Sequence, residues 1–383
     1  MTEHRPSSLQ EASDVLRSAS AEGATVRVLG AGTKAEWGRV VPRPDVEIRT
    51  DRLNDVVEYN HADMTAVLEA GLPLAEAQKT FAANGQMLAL DPPIGDEPGA
   101  TIGGIFSTAD SGPLRHRYGA ARDLVLGMTV VLADGTIARA GGKVIKNVAG
   151  YDLAKLFTGS FGTLGLIAEV VVRLHPLSPI RVTARGSSED PAALQRGAMA
   201  VSHAALQAEG LDVGWRDGRG SILARFAGLA STTQAEAATR LLSEAGLETS
   251  LAEGDEPLWA SQREGQRSTE GAILRLSGLQ GDLERVLRAA KRRDVQVVGR
   301  AGAGVYWLKL PHDSEDRLVQ AVDDLRTELR GVPCVVRDAP RAVREKVDVW
   351  GEQTETLSKL SRSIKQRFDP DGLLNPGIFV GGI

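Results

Sequence analysis

The sequence predicts an α+β protein in which a two-part, glycine-rich domain is interrupted by a second, antiparallel α+β domain. Three observations carry this. Glycine-rich loops crowd the stretch from Leu29 to Val172, between short strand and helix patterns. Beyond Pro179 they thin out, and simple strands and helices follow in the order expected of an open antiparallel sheet with helices on one face. A helix pattern and a turn-rich segment, FDPDGLLNPG, come last. The boundaries expected are 1–177 for the glycine-rich domain (two α+β subdomains), 178–340 for the inserted domain, and 341–383 for a return segment that completes the first.

The elements follow in order. Ser8-Leu9-Gln10-Glu11 has capping-box spacing and opens a helix that Gly23 closes. Residues 25–29 form a strand running into the loop LGAGTK, and 56–58 and 66–70 read as strands. Pro73 and Gly85 bracket a helix over 74–84. The proline-rich loop DPPIGDEPG leads into the main glycine cluster, EPGATIGGIFSTADSG. Residues 124–132 and 136–140 make a hairpin about Ala133-Asp134-Gly135, and 164–174 an apolar strand ended by Pro176. In the inserted region, strands are expected at 213–215, 221–226, 272–276, 295–298, 304–310 and 333–337. Helices are expected there at 233–244, 282–293 and 314–329, and in the return segment at 354–368.

Composition narrows the function classes. The net charge of −5 leaves no nucleic-acid footprint. Cys334 is the single cysteine, which excludes an internal disulfide framework and a self-supplied iron–sulfur cluster. The six histidines are scattered, with no metal-ligand spacing. The polar start MTEHRPSSLQ is unlike a signal peptide, and no run approaches the roughly 18 apolar residues of a membrane span. The expectation is a cytoplasmic protein, touching a membrane only through a partner.

The glycine loops read as a cradle for a pyrophosphate-bearing cofactor. Glycine lets backbone N–H groups approach an anion, and a helix starting at Thr101 would add free N-terminal N–H groups. VRVLGAGTKA imitates a dinucleotide-binding fingerprint, and Asp51 lies where a ribose-binding acid is expected. Its context fails, because Pro42 and Pro44 break the helix that should follow. A purely structural turn remains the other reading of that loop. Asn147, Tyr151 and Asp152 in KNVAGYDL are open to a capping role, and Lys143 and Lys146 to plain solvation.

Taken together and in order, GAGTK, PGATIGG, RYGAARDLVLG, VVLADG, KNVAGYDLAKLF, GSFGTLGLIAEV and FDPDGLLNPG resemble the FAD-binding family of vanillyl-alcohol oxidase or p-cresol methylhydroxylase type. NGQMLALDPP and GGKVIKNVAGYDL look most like its bacterial glycolate oxidase branch. The resemblance implies a two-part FAD-binding domain with an inserted cap. Gly30, Ala31, Gly32, Thr33, Lys34 and Gly99, Ala100, Thr101, Gly103, Gly104 would hold the pyrophosphate. Pro93 and Ser107 accompany them, and Ser111 and Gly112 would continue that wall. Gly162, Gly165 and Ile167 would lie along the flavin and adenine, and Asn375 would close the site from the return segment.

Two departures from the family pattern matter. Lys34, Ala35 and Glu36 follow the first loop where covalent members place a histidine or cysteine, so the implied FAD is non-covalent; His116 alone keeps a covalent link open. Relatives that oxidise 2-hydroxy acids carry H-x-G-D-G-N on the cap; the matching stretch here, GRAGAGVYW, has no histidine or acid. A hydroxyl that loses its proton needs an acceptor. The implied role is therefore an electron-relaying FAD subunit of a glycolate oxidase complex, its partners a sister flavoprotein subunit and an iron–sulfur subunit. The alternatives are a self-sufficient FAD-dependent 2-hydroxy-acid dehydrogenase and a non-catalytic scaffold.

Overall fold

The computed structural model describes residues 1–144 and 151–383. The chain forms two compact units: Met1–Ser111 with Gly119–Leu177 and Gln353–Ile383, and Gly112–Tyr118 with Ser178–Glu352. The return thus begins at Gln353, later than residue 341. The intervening chain is pinned to the second unit: the Val336 amide donates to the Val349 carbonyl at 2.8 Å, and Arg326 to the Asp348 carbonyl at 2.6 Å. Gly112–Tyr118 also belongs to that unit, where Arg117 donates to the Gln207 carbonyl at 3.1 Å.

In the first unit, the helix Leu9–Glu22 starts where local chemistry says it should. Ser8 Oγ accepts the Glu11 N–H at 3.2 Å, and Gly23 ends the helix at φ 65°. The Glu11 carboxylate accepts the N–H of Ser7 rather than of Ser8, one residue earlier than the standard box. Ala12, Leu16 and Ala19 bury one helix face against Val26, Ile48, Val131, Leu166 and Leu374. The underlying three-stranded sheet is parallel, ordered Thr2–His4, Val46–Arg49, Val26–Leu29. A five-stranded antiparallel sheet holds the predicted hairpin, Val125–Val131 with Ile137–Gly141, and the apolar strand Leu166–Arg173 beside it. Leu166, Ala168, Val170 and Val172 bury one face of that strand, while the other grades from buried Ile167 through half-buried Glu169 and Val171 to exposed Arg173.

The second unit is built on an eight-stranded antiparallel sheet. One sheet face is apolar. Ala184, Val213, Ile222, Ala224, Phe226 and Leu308 are buried there, under helices that include Pro191–His203 and Ser231–Glu244. The approach is close enough that a Cβ at Gly220 would strike Leu194 of the first of these helices. Asp190 caps that helix by accepting the Ala192 N–H at 3.0 Å and the Ala193 N–H at 3.2 Å. The other face is mixed: Arg185, Ser221 and Lys309 share it with a buried apolar cluster of Ile273, Val305 and Trp307, and the helix Glu256–Glu264 lies against it through Gln262, whose amide approaches Gly214.

Candidate functional site

In the first unit the strand Val26–Leu29 delivers the chain into the loop Gly30 to Lys34, against the N-terminus of the helix Ile102–Thr108. The close approach depends on Gly30, where any Cβ would collide with the Thr101 side chain. A cavity of about 80 Å³ opens between them. Gly30, Ala31, Gly32, Thr33 and Lys34 form one wall; Thr101, Gly104 and Ser107 form another, and Asn375 and Phe161 border it. A second cavity, of about 50 Å³, shares Val28, Gly30, Gly104 and Ser107 with the first. It is completed by Gly103, Gly162, Gly165 and Ile167. Three separate stretches of glycine-rich sequence and the return segment therefore converge on one place.

The hydrogen bonding differs from the sequence expectation in one respect. The first turn of the helix Ile102–Thr108 has no spare donors. Ile102 N–H donates to the Leu72 carbonyl at 2.9 Å, Gly103 N–H to the Ala70 carbonyl at 2.7 Å, and Gly104 N–H to Thr101 Oγ at 3.3 Å. The neighbouring strand end and the Thr101 cap consume what an anion would have needed. The amides of Ala31 and Gly32 donate to no group among the described residues, and both residues border the cavity. Donors for an anion are thus on the first loop rather than at the helix end.

Charge is close by. Lys34 and Asp110 form an ion pair at 3.2 Å with side chains only 5% and 6% exposed. The Lys34 ammonium also lies 5.7 Å from the Trp37 ring centroid and 3.5 Å from the Pro93 carbonyl. Arg27 borders the cavity and donates to the Ala35 carbonyl. Arg27, Trp37 and Ile378 line the cavity without having been singled out in the sequence. The strand's alternation was the available signal for Arg27, since it puts Arg27 and Leu29 on one face.

Five expected residues line neither cavity. Pro93 reaches the site only through its carbonyl. Gly99 and Ala100 spend their amides on the Asp96 and Ile94 carbonyls, both at 2.7 Å. Ser111 is buried, its N–H donating to Asp110, and Gly112 begins the segment that belongs to the second unit.

Asn375 sits at φ 43° and knits three segments together. Its amide donates to the Val26 carbonyl at 2.8 Å, its Nδ2 to the Phe161 carbonyl at 2.7 Å, and its Oδ1 accepts the Val28 N–H at 3.4 Å. Behind it, Lys365 donates to the Thr163 and Leu374 carbonyls, each at 2.8 Å, and to Asp369 at 2.5 Å. Burial pushes the Lys365 ammonium down from its usual pKa, with Asp369 opposing the shift.

The remaining candidates separate. Asp51 pairs with Arg5 at 2.9 Å. Lys143 pairs with Glu58, Asp152 pairs with Lys155 at 2.9 Å, and Tyr151 is exposed. Lys146 and Asn147 lie outside the described residues. In the second unit, Arg300 of the GRAGAGVYW stretch is fully buried in an ion pair with Asp212, and stacks 4.9 Å from the Trp307 ring centroid. His116, from Gly112–Tyr118, packs on Gly302, and burial lowers its pKa.

Residues 4–141 match the family model described as FAD binding domain. Glycolate oxidase subunit GlcE of Escherichia coli (strain K12) is 37% identical over 150 residues, 39% of this chain and 42% of that protein. Glycolate oxidase subunit GlcD of Bacillus subtilis (strain 168) is 33% identical over 171 residues, 45% of this chain and 36% of that one. The mitochondrial D-lactate dehydrogenase [cytochrome] of Arabidopsis thaliana is 34% identical over 179 residues, 47% of this chain and 31% of that one. The chain thus spans less than half the length of these relatives. Among solved structures, an alkyldihydroxyacetonephosphate synthase superposes with a TM-score of 0.70 over 98% of this chain and 76% of its own, at 17% identity, a likeness of fold. The stretch 4–141 is an FAD-binding domain of p-cresol methylhydroxylase type, and its cofactor is FAD. No helix among the described residues is long and apolar enough to cross a membrane.

Proposed function

We propose that this chain is the FAD-carrying, electron-relaying subunit of a glycolate oxidase complex. It passes electrons from a sister flavoprotein to an iron–sulfur subunit. The observation that carries the cofactor assignment is the pair of undonated amides at Ala31 and Gly32. They lie beside Lys34 and across the cavity from Gly104, a position without a side chain. These groups fit a diphosphate: N–H donors and a cation on one side, open space on the other. Ala31, Gly32 and Lys34 hold the diphosphate of FAD, and Gly104 and Ser107 give it room. Gly162, Gly165 and Ile167 border the ring systems, and Asn375 keeps the loops in register. The association is non-covalent. Bound FAD supplies a two-electron acceptor.

The relay role rests on similarity to a glycolate oxidase subunit, and on the chemistry available in the second unit. Arg300, the charged residue of the GRAGAGVYW stretch, is committed to Asp212. With Cys334 its only cysteine, the chain leaves clusters to another subunit. The protein acts in the cytoplasm and meets a membrane only through partners.

The test is anaerobic stopped-flow mixing of the FAD-loaded chain with glycolate. Slow bleaching alone, and fast bleaching with partner subunits present, is the expected pattern. Fast, saturable bleaching of the isolated chain would replace the relay reading with a self-sufficient dehydrogenase.

A further inference from the structure

We propose that the second unit carries a docking groove for an acidic polypeptide segment of a partner chain. A cavity of about 580 Å³ lies on the sheet face opposite the helices Pro191–His203 and Ser231–Glu244. Its wall is the helix Glu256–Glu264, through Leu258, Ser261 and Gln262. Two glycines shape it. A Cβ at Gly214 would stand 3.0 Å from Gln262 Nε2, and one at Gly265 would stand 2.6 Å from the Val298 side chain. The helix and sheet are thereby held close along one edge, and the floor stays open beside them.

Register puts the floor side chains on one face. Arg185 is opposite Leu223, Gly214 is opposite both Ser221 and Val298, and Gln296 is opposite Lys309. Three cations line the groove with neutral partners or none. Arg185 donates to Ser221 Oγ at 3.3 Å and Arg216 to Gln296 Oε1 at 3.2 Å, while Lys309 has no ion pair among the described residues. Arg219, also lining, is already neutralised by Glu248 at 2.5 Å and Glu189 at 3.7 Å. The lining acids are Asp217, in the hairpin turn, and Glu264, in the last helical turn.

The dimensions choose the occupant. Arg185 and Lys309 are on strands four apart in the sheet order and, by register, about four residues apart along the strands, so about 23 Å separates them at the usual spacings. A small anion reaches only one of them, whereas about seven residues of extended chain reach both. Leu223, Val298 and Leu258 lie in the same groove. The complement is a segment with carboxylates at its ends and apolar side chains between. The chain's net charge of −5 disfavours a nucleic acid as that polyanion.

The probe is a fluorescein-labelled peptide, Glu-Glu-Leu-Ser-Leu-Glu-Glu, titrated with the full chain by fluorescence anisotropy at low salt. Saturable binding is expected, weakened at least tenfold by Arg185→Glu with Lys309→Glu, and weakened by added salt. Lys79→Glu in the first unit should leave it unchanged. Circular dichroism of each variant separates lost binding from lost folding. Four results overturn the proposal: no saturable binding to wild type, equal affinity in the folded double variant, equal binding of the Lys-for-Glu peptide, or tighter binding of a labelled hexathymidylate.

Discussion

At Gly103 and Gly104, adjacent glycines serve different ends. A Cβ at Gly103 would stand 2.6 Å from Ala70 Cβ, so its bareness lets the helix close on the neighbouring strand end. A Cβ at Gly104 would meet only Thr101 Oγ, at 3.2 Å, and the residue borders both cavities. Gly104→Val should therefore leave the apo protein folded, with a thermal midpoint close to wild type. Its bulk displaces ligand contacts worth about 1–3 kcal/mol each, so FAD affinity should fall about a hundredfold, read by flavin fluorescence titration. Gly103→Val should instead fail to fold, or unfold at a clearly lower temperature. Wild-type FAD affinity in Gly104→Val would detach the glycine cluster from the cofactor. The sequence showed that glycines were dense here, but not which faced a ligand. That division depends on Ala70, thirty or so residues away in the chain and on another element.

At the scale of elements, the return segment is held by a charge buried beside the site. Asp369 is fully buried and accepts the Leu373 N–H at 3.0 Å and the Leu374 N–H at 2.7 Å, besides Lys365. Asp369→Ala strands the Lys365 ammonium among carbonyls and should cost about 3–5 kcal/mol, measured by urea unfolding. A loss under about 1 kcal/mol would mean that water replaces the carboxylate. Gly112–Tyr118 makes a second element-scale prediction, through His116. Burial lowers the folded pKa of His116 below the ordinary 6.5, so the unfolded chain takes up its proton first as pH falls. The contribution is full above about pH 6.5 and is lost progressively below it. His116→Asn should flatten thermal stability between pH 7 and 5; an unchanged slope would show that His116 is not the responsible group. Elements governed by local chemistry were legible: Ser8 caps its helix as read, the helix expected over 314–329 forms as Glu315–Glu328, and the hairpin about Asp134-Gly135 forms. The parallel pairing of Thr2–His4 with Val46–Arg49 was not, because three-residue strands joined across the chain leave no local periodicity. Nor was the exhaustion of donors at Ile102 and Gly103, whose acceptors Leu72 and Ala70 arrive by tertiary packing.

On the scale of the whole molecule, one domain is assembled from separated stretches around an insertion. The insertion's antiparallel sheet was readable from the alternation of strands and helices. Its edges were not: Gly112–Tyr118 joins it from within the glycine-rich region, and Gln353 rather than residue 341 begins the return. Those boundaries are set by side-chain anchors such as Arg117 on Gln207 and Arg326 on Asp348, which have no composition signal. This chain's own loops should hold FAD without a covalent bond, and acid precipitation of the purified yellow protein tests that site. About one equivalent of intact FAD per chain should appear in the supernatant, leaving a colourless pellet. Flavin retained in the pellet would contradict the non-covalent site, and a colourless protein that takes up no FAD on reconstitution would contradict the site itself.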